Sequence, residues 1–289
     1  MGSKSKIAND LMHYLPRGKR FVDLFGGGFS MSHIALLSNK YESVFYNEFN
    51  PIVRPMLEKA IKGEFNYDVF KPEFVEREKF FKYNTTDGYI RYCWSFSNQG
   101  DTYMFGKPLE EMKRSLHNFV VFGTKDKWLQ KNCHDIDKYI VTSNIKERRI
   151  LLNKYFDIKK KQKIALQQLQ CLERLQDLSK LKEKLESGVL VLNTGSYEDY
   201  QYQEGDVVYC DPPYENTAKY NSKTDFDIKK FYDWVATRPF KVYFSSYLIS
   251  DDRFKMVWAE GKRSLMAQKT KENYKVNYEC LYTNMIGEE

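Results

Sequence analysis

A glycine turn between two short apolar segments is the feature that most restricts how this chain can fold. Phe21–Phe25 is an apolar run of the kind that forms a buried parallel strand, and it leads directly into Gly26–Gly28. Because glycine accepts backbone angles that other residues avoid, a tight turn is predicted there. A helix is predicted over Ser30–Leu37 and a second strand over Ser43–Tyr46, ending near the acidic Glu48. This order is typical of a nucleotide-binding βαβ unit, in which such a carboxylate accepts hydrogen bonds from the ribose hydroxyls.

The spacing of the glycines argues against two common classes of nucleotide-binding protein. The turn has neither the G-x-G-x-x-G spacing of dinucleotide enzymes nor the G-K-[ST] ending of P-loop NTPases. Its consecutive glycines nevertheless allow the backbone to approach a ligand closely. The turn alone is weak evidence for a nucleotide site, and further motifs elsewhere in the chain are needed to support one.

Strand patterns return in the C-terminal half of the chain, after a long helical segment. Leucines at spacings of three and four predict a helix over residues 160–186. Further strands are predicted over Val189–Leu192, Val207–Cys210 and Lys241–Ser245. Alternation between Lys275 and Met285 predicts a closing strand or hairpin.

The predicted elements divide the chain into an α/β domain and an insertion. Residues 56–159 lack the strand–helix alternation and interleave basic with aromatic residues. Residues 1–55 and 160–289 carry all the predicted strands, and the helical spacing of residues 7–15 precedes the first of them. We therefore expect an α/β domain of residues 1–55 and 160–289, interrupted by an inserted module of residues 56–159.

Composition limits the class of protein without identifying it. The chain has 289 residues and a formal net charge of +7, which fits a polyanionic partner but also an ordinary basic protein. Its five cysteines are scattered and have no zinc-ligand spacing, so we expect reduced thiols, no metal and a cytoplasmic protein. No apolar run is long enough to span a bilayer, and a membrane role is not expected.

The second chemical motif is Asp211–Tyr214, the sequence Asp-Pro-Pro-Tyr. It follows the predicted strand Val207–Cys210, so it stands at a carboxyl strand end, where α/β sheets bind ligands. The prolines stiffen the loop and remove two N–H donors, which leaves the Asp211 carboxylate and the Pro212 carbonyl as acceptors. Such a pair suits an amine that donates two hydrogen bonds, and Tyr214 offers a flat face to a heterocycle.

Together these motifs resemble the Dam-like family of DNA N6-adenine methyltransferases, the D12 class in the alpha arrangement, in which the cofactor motifs come first. The resemblance implies a Rossmann-like class I S-adenosylmethionine-dependent methyltransferase fold with an inserted target-recognition domain. It implies a catalytic motif formed by Asp211, Pro212, Pro213 and Tyr214. It also implies S-adenosylmethionine contacts from Lys4, Asp23, Phe25, Gly26, Gly27, Gly28, Glu48, Ser196, Tyr197 and Asp211. The family usually has Asp at the position of Glu48, and the longer carboxylate can serve the same purpose.

In such a family the inserted module binds double-stranded DNA. Residues 95–100 and 105–107 resemble the hairpin region that meets DNA, which makes Asn98, Gln99 and Lys107 the candidate contacts. Each could equally be a polar residue that stabilises a loop. The module differs from that of the GATC-methylating members, so no target sequence is transferred. We expect a monomer or a weak dimer.

Other activities remain open at this point. Cytosine-N4 and RNA amino-methyltransferases use similar amine chemistry, although the cytosine enzymes often have Ser where this chain has Asp211. Protein-glutamine methylases usually have Asn there, which counts against them. A DNA-binding relative without catalytic activity is a different class of alternative. The intact motif at Asp211–Tyr214, together with Asp23 and Glu48, argues against it.

Overall fold

The structure is a computed structural model that describes Lys4 and residues 7–96, 100–159, 166–214, 226–263 and 276–285. It divides into two compact units. The first unit consists of Met1–Arg54 and Lys184–Glu289, and the second unit is Pro55–Glu183.

The first unit is organised around one mixed sheet. Within the described ranges it has seven strands, in the order β3-β2-β1-β4-β5-β7-β6. Strands β1 to β5 are parallel, and β7 is antiparallel to both of its neighbours. The strands are β1 (Arg20–Asp23), β2 (Ser43–Asn47), β3 (Leu190–Asn193), β4 (Asp206–Cys210), β5 (Val242–Ser246), β6 (Phe254–Arg263) and β7 (Val276–Asn284). The α/β, Rossmann-like fold expected from the sequence is confirmed.

Helices account for most of the other regular structure in the described residues. They are α1 (Ala8–Tyr14), α2 (Ser30–Leu37), α3 (Val53–Ile61), α4 (Arg77–Tyr83), α5 (Gly88–Cys93), α6 (Glu110–Phe122), α7 (Lys127–Asn132), α8 (Ile145–Ile158), α9 (Gln167–Gln176), α10 (Lys182–Glu186) and α11 (Ile228–Ala236). The predicted helix over Ser30–Leu37 has the same bounds as α2. The second unit, whose sequence lacks a clear period, is mainly helical.

The long helix predicted over residues 160–186 is a series of shorter elements. Residues 160–165 lie outside the described residues, and α9 is followed by a 3-10 segment at Asp177–Leu181 before α10 begins. Leu175, Leu178 and Leu181 are spaced by three residues. That spacing matches the three residues per turn of a 3-10 helix and explains the tighter winding.

Helix α9 belongs to the second unit, which differs from the domain boundary expected at residue 160. Glu173 of α9 forms a buried, bidentate ion pair with Arg149 of α8, with N–O distances of 2.7 and 2.6 Å. Leu169 lies in a core that α9 shares with α6 and α8. Because these contacts hold α9 to the inserted helices, the structural boundary falls near residue 184.

The second unit contains two apolar clusters. The first joins helices α6 to α9 through buried side chains that include Leu116, Phe119, Val120, Leu129, Leu152, Phe156 and Leu169. The second surrounds the fully buried Trp94 and includes Phe74, Phe80, Tyr103 and Phe105. Burial of this much aliphatic and aromatic surface stabilises the unit from within.

The register of the central strands brings the sequence motifs to one edge of the first unit. Asp23 at the end of β1 lies opposite Tyr46 of β2 and Tyr209 of β4. The residues that follow these positions therefore leave the sheet side by side. Glu48 follows β2 and Asp211 follows β4, so both flank the glycine turn at the carboxyl edge.

Asn47 connects three strands at this edge. Its Nδ2 donates to the carbonyl oxygens of Leu24 and Gly195, at 3.2 and 3.0 Å. Its Oδ1 accepts a hydrogen bond from Nδ2 of Asn193, at 2.8 Å. The side chain is buried, with 2% of its surface exposed, so these bonds replace water completely. Asn47 thus fixes the relative position of the segments that follow β1, β2 and β3.

We expect Asn47→Asp to lower the free energy of unfolding by about 2–4 kcal/mol, because a buried carboxylate would face two carbonyl oxygens without a donor. Urea unfolding followed by circular dichroism measures this difference. Asn39→Asp is the matched control, since Asn39 is exposed, and we expect a change below about 0.5 kcal/mol there. Equal losses in the two variants would contradict the role of Asn47.

Candidate active site

The glycine turn is packed tightly against β2 on one side and is open on the other. The Gly26 amide donates to the Asn47 carbonyl at 2.8 Å, and a Cβ at Gly26 would lie only 2.1 Å from the Tyr46 ring. Gly27 has a φ of 45°, in the left-handed region that favours glycine. A Cβ at Gly28 would meet nothing within 4 Å. The turn therefore requires glycine at its base and leaves space at its tip.

Glu48 is attached to this turn by its carboxylate. One of its oxygens accepts the Gly27 amide at 2.8 Å, and the other accepts the Asn50 amide at 2.9 Å. Burial raises the pKa of the Glu48 carboxyl, while the two amides act in the opposite direction. The carboxylate thus orients the turn, in addition to the ribose-binding role expected from the sequence.

Asp23 lies beneath the turn at the end of β1. Its carboxylate is 1% exposed and accepts a hydrogen bond of 2.8 Å from the Ser32 hydroxyl of α2. The pKa of Asp23 is raised to about 7, mainly by burial and to a smaller extent by the nearby Asp211 and Glu48 carboxylates, while hydrogen bonds from Ser32 oppose the rise. Asp23 is in register with Tyr209 of β4, so Asp211, two residues further along, leaves the sheet beside it.

An aromatic group forms one wall of the site. The half-buried Phe25 ring stacks on Tyr197, with centroids 5.3 Å apart, and meets Phe231 of α11 edge-on at 5.5 Å. Tyr197 is 9% exposed and lies in the apolar core, so it supports Phe25 from below. Ser196 accepts the Glu198 amide at 3.2 Å and begins the short 3-10 turn that holds Tyr197.

The Asp-Pro-Pro-Tyr segment leaves β4 beside the glycine turn. The Leu24 amide, next to that turn, donates to the Tyr209 carbonyl at 3.0 Å, which fixes the two segments in register. Pro212 is buried, whereas Asp211, Pro213 and Tyr214 are half-buried. Burial raises the pKa of Asp211, and the Lys4 ammonium counteracts this rise.

Lys4 and Glu279 complete the site. Lys4 Nζ is 3.0 Å from Asp211 Oδ1 and 3.1 Å from Glu279 Oε2, and it also contacts the Tyr214 hydroxyl. That hydroxyl donates to Glu279 Oε2 at 3.0 Å, and the Tyr214 ring meets Tyr247 edge-on at 4.8 Å. Burial lowers the pKa of Lys4, but the two carboxylates outweigh it, so the net shift is upward.

Sequence reasoning did not identify Glu279 or Tyr247. Glu279 is on β7, between the alternating Tyr278 and Cys280, where a solvent-facing acid is equally expected, so its burial had no sequence signal. Tyr247 follows β5 directly and had no distinguishing pattern. The sequence-predicted residues Lys4, Asp211 and Tyr214 do lie together.

The second unit has a hairpin-like pairing in the described residues near the candidate DNA contacts. Ser95 forms an antiparallel bridge with Tyr103, and the Phe96 amide donates to the Thr102 carbonyl at 2.8 Å. Asn98 and Gln99 lie outside the described residues. Lys107 is exposed at the start of a short 3-10 helix that precedes α6.

The described residues contain no group of three or more His, Cys, Asp or Glu that could hold a metal ion. No helix in these ranges is long and apolar enough to cross a membrane.

Comparison with known families agrees with the geometry of the first unit. The family model for D12 class N6 adenine-specific DNA methyltransferases matches residues 1–275 of the 289. The chain belongs to this family. The D12 enzyme therefore methylates the N6 amine of adenine in DNA and uses a methyl donor. No curated protein gives a match to the chain.

We expect Asp23→Asn to stabilise the D12 enzyme at neutral and alkaline pH. Ionising the buried Asp23 carboxyl destabilises the native state progressively from about pH 4, its usual pKa, to about pH 7, and the penalty stays constant above that. The free energy of unfolding should rise on the order of 2–4 kcal/mol at about pH 8 and change little at about pH 4.

Urea unfolding across this pH range tests the expectation. Asp10→Asn, at an exposed position of α1, serves as the control and should give a small difference without such a slope. A gain for Asp23→Asn that is independent of pH would contradict the assignment.

Proposed function

We propose that this enzyme transfers the methyl group of S-adenosylmethionine to a flipped-out adenine of duplex DNA at a specific site. The observation that carries the proposal is the adjacency of two loops. The glycine turn after β1 and the Asp-Pro-Pro-Tyr segment after β4 leave neighbouring parallel strands at the same edge. A donor held by the first loop would therefore face an acceptor amine held by the second.

The donor set of the cleft fits S-adenosylmethionine. Glu48 supplies a carboxylate at a strand end for the ribose hydroxyls, and the space beyond Gly28 admits a ligand. Phe25 offers an aromatic wall, and Ser196 follows β3 at the same edge. Asp211 and Glu279 add negative charge suited to a cationic ligand. When bound, S-adenosylmethionine would supply an electrophilic methyl group on a positively charged sulfur.

The role of Asp211 and Pro212 is to orient the target amine. The lone pair of an aromatic amine is delocalised into its ring, so the amine is a poor nucleophile. Hydrogen bonds from its two N–H groups to the Asp211 carboxylate and the Pro212 carbonyl would favour a pyramidal nitrogen. In the transfer, the lone pair would form the N–C bond and the C–S electron pair would return to sulfur. One amine proton would leave through its hydrogen bond to the Asp211 carboxylate and pass on to water. Positioning and electrostatics would supply most of the rate enhancement.

Access to the amine requires the adenine to leave the duplex, because it is stacked and paired there. Tyr214 is the candidate platform for the extruded base, as its ring has a heterocycle-sized flat face beside Asp211. Tyr247 supports it edge-on, and the Tyr214 hydroxyl is held by Glu279. The tyrosine orientation is therefore set by groups within the first unit.

We also propose that the second unit recognises the DNA target. Pro55–Glu183 contains 25 Lys and Arg residues and 18 Asp and Glu residues, whereas the remainder of the chain has 21 of each. The whole net charge of +7 thus belongs to the second unit. A concentrated positive charge attracts the phosphate backbone. Exposed aromatic residues at Phe81 and Phe96 accompany it.

We expect Asp211→Asn to reduce methyl incorporation into duplex DNA by at least about a hundredfold, because the amide presents N–H donors as well as an acceptor to the target amine. Tritiated S-adenosylmethionine and duplex DNA provide the assay, and digestion to nucleosides identifies N6-methyladenine. Asp252→Asn, at an exposed loop position, is the control and should retain wild-type incorporation. Incorporation into RNA or protein but not DNA would overturn the proposal.

We expect Lys107→Ala to weaken binding of duplex DNA a few-fold and to reduce the salt dependence of log Kd by about 0.9, the contribution of one phosphate contact. Fluorescence anisotropy with labelled DNA at several salt concentrations measures both quantities. Lys241→Ala removes one exposed positive charge from the amino end of β5 and is the matched control. If both variants change the slope equally, Lys107 has no specific contact.

A further inference from the structure

Lys4 lies between two carboxylates that come from different strands. Its Nζ is 3.0 Å from Asp211 Oδ1, which follows β4, and 3.1 Å from Glu279 Oε2 on β7. Lys4 is 8% exposed and Glu279 is 7% exposed, so water screens this group poorly. Asp211 is half-buried, so the three charges form a largely buried cluster rather than a surface ion pair.

The cluster carries one negative charge more than Lys4 can neutralise. If Asp211 and Glu279 are both ionised, the three groups sum to one negative charge. A buried net charge is costly unless a partner of opposite sign approaches it. Glu260 lies opposite Glu279 on β6, but its side chain is exposed, where solvent screens its charge. The buried cluster thus favours a singly charged cation.

Each carboxylate has a different task in this arrangement. Asp211 belongs to the segment proposed to orient the target amine. Its carboxylate must therefore accept a hydrogen bond from that amine as well as neutralise Lys4. Glu279 neutralises Lys4 from the other side and also accepts the Tyr214 hydroxyl. Without the Glu279 charge, Lys4 and Asp211 would form a neutral pair that has no net attraction for a cation.

We propose that Glu279 is a positioning residue whose charge, by balancing Lys4, makes the cleft select the cationic sulfonium of the donor over the neutral thioether of the product. This inference rests on the proposed use of S-adenosylmethionine. Methyl transfer removes the positive charge from sulfur, so the same carboxylate that favours donor binding gives no corresponding attraction for S-adenosylhomocysteine. Glu279 thereby favours exchange of product for fresh donor.

The experiment compares the affinities of the full-length enzyme for S-adenosylmethionine and S-adenosylhomocysteine by isothermal titration calorimetry without DNA. Glu279→Gln keeps the size of the side chain and an acceptor for Tyr214 but removes the charge. A unit charge within several ångströms, at an effective dielectric constant of about 20, changes an affinity by about tenfold or more. We expect Kd for S-adenosylmethionine to rise by about tenfold and Kd for S-adenosylhomocysteine by less than about twofold.

Two further variants separate charge from shape. Glu42→Gln removes one exposed negative charge just before β2, at the amino end of the sheet, and should leave both affinities unchanged. The double variant Lys4→Gln with Glu279→Gln restores the net charge of the cluster to its wild-type value. It should recover most of the wild-type ratio of the two affinities, even if both are weaker.

The outcomes distinguish this inference from the proposed function. If Glu279→Gln weakens both ligands equally, or if the double variant does not recover the ratio, Glu279 acts by shape alone and the inference fails. If Glu279→Gln does not fold, Glu279→Asp and the double variant test the inference instead. Both keep the net charge of the cluster, so both must keep the wild-type preference for S-adenosylmethionine over S-adenosylhomocysteine. If the wild-type enzyme binds neither ligand, the proposed donor is wrong and the inference fails with it.

Discussion

The parallel pairing of β1 with β2 and β4 is the constraint on which the site depends. Asp23 lies opposite Tyr46 on one side and Tyr209 on the other, so three loops leave the sheet at the same level. A shift of one residue in either pairing would move Glu48 or Asp211 by about 3.3 Å and turn its side chain to the other face. The Asn47 amide and the contact of Gly26 with Tyr46 hold this register. The chemistry of the cleft is therefore a consequence of strand alignment.

Much of this arrangement could be predicted because its signals are local. The glycine turn, Glu48 and Asp211–Tyr214 each follow a short apolar strand directly, and carboxyl strand ends of a parallel sheet meet at one edge. Helix α2 was predicted with its observed bounds, since Gly26–Gly28 fixes its start. The N-terminal Lys4 was proposed as a cofactor contact from the family resemblance alone, and its ammonium lies 3.0 Å from Asp211 Oδ1.

The features that sequence reasoning missed depend on contacts between distant segments. Glu279 is 275 positions from Lys4, and no local period links the two residues. The boundary near residue 184 depends on the Arg149–Glu173 ion pair and on the packing of Leu169, neither of which has a sequence signature. In the described part of the leucine pattern over residues 160–186, Leu169, Leu172 and Leu181 are buried, but the pattern did not predict the change to a 3-10 segment. Tertiary packing, rather than helical propensity, decides such cases.

The position of β7 has a consequence for the order in which the site is assembled. This strand pairs with β5 on one side and β6 on the other, although it follows both in the chain. It can join the sheet only after the other strands have been synthesised, and its contact with Lys4 spans 275 positions in the sequence. Contacts of such long sequence separation form slowly. Glu279 is part of β7 and reaches the site only when this strand pairs with the sheet. A growing polypeptide would hold the ammonium of Lys4 and the carboxylate of Asp211 without their third member until β7 has docked. The net negative charge of the cleft, and with it the attraction for a cation, is thus acquired late, and nascent chains on the ribosome would lack it.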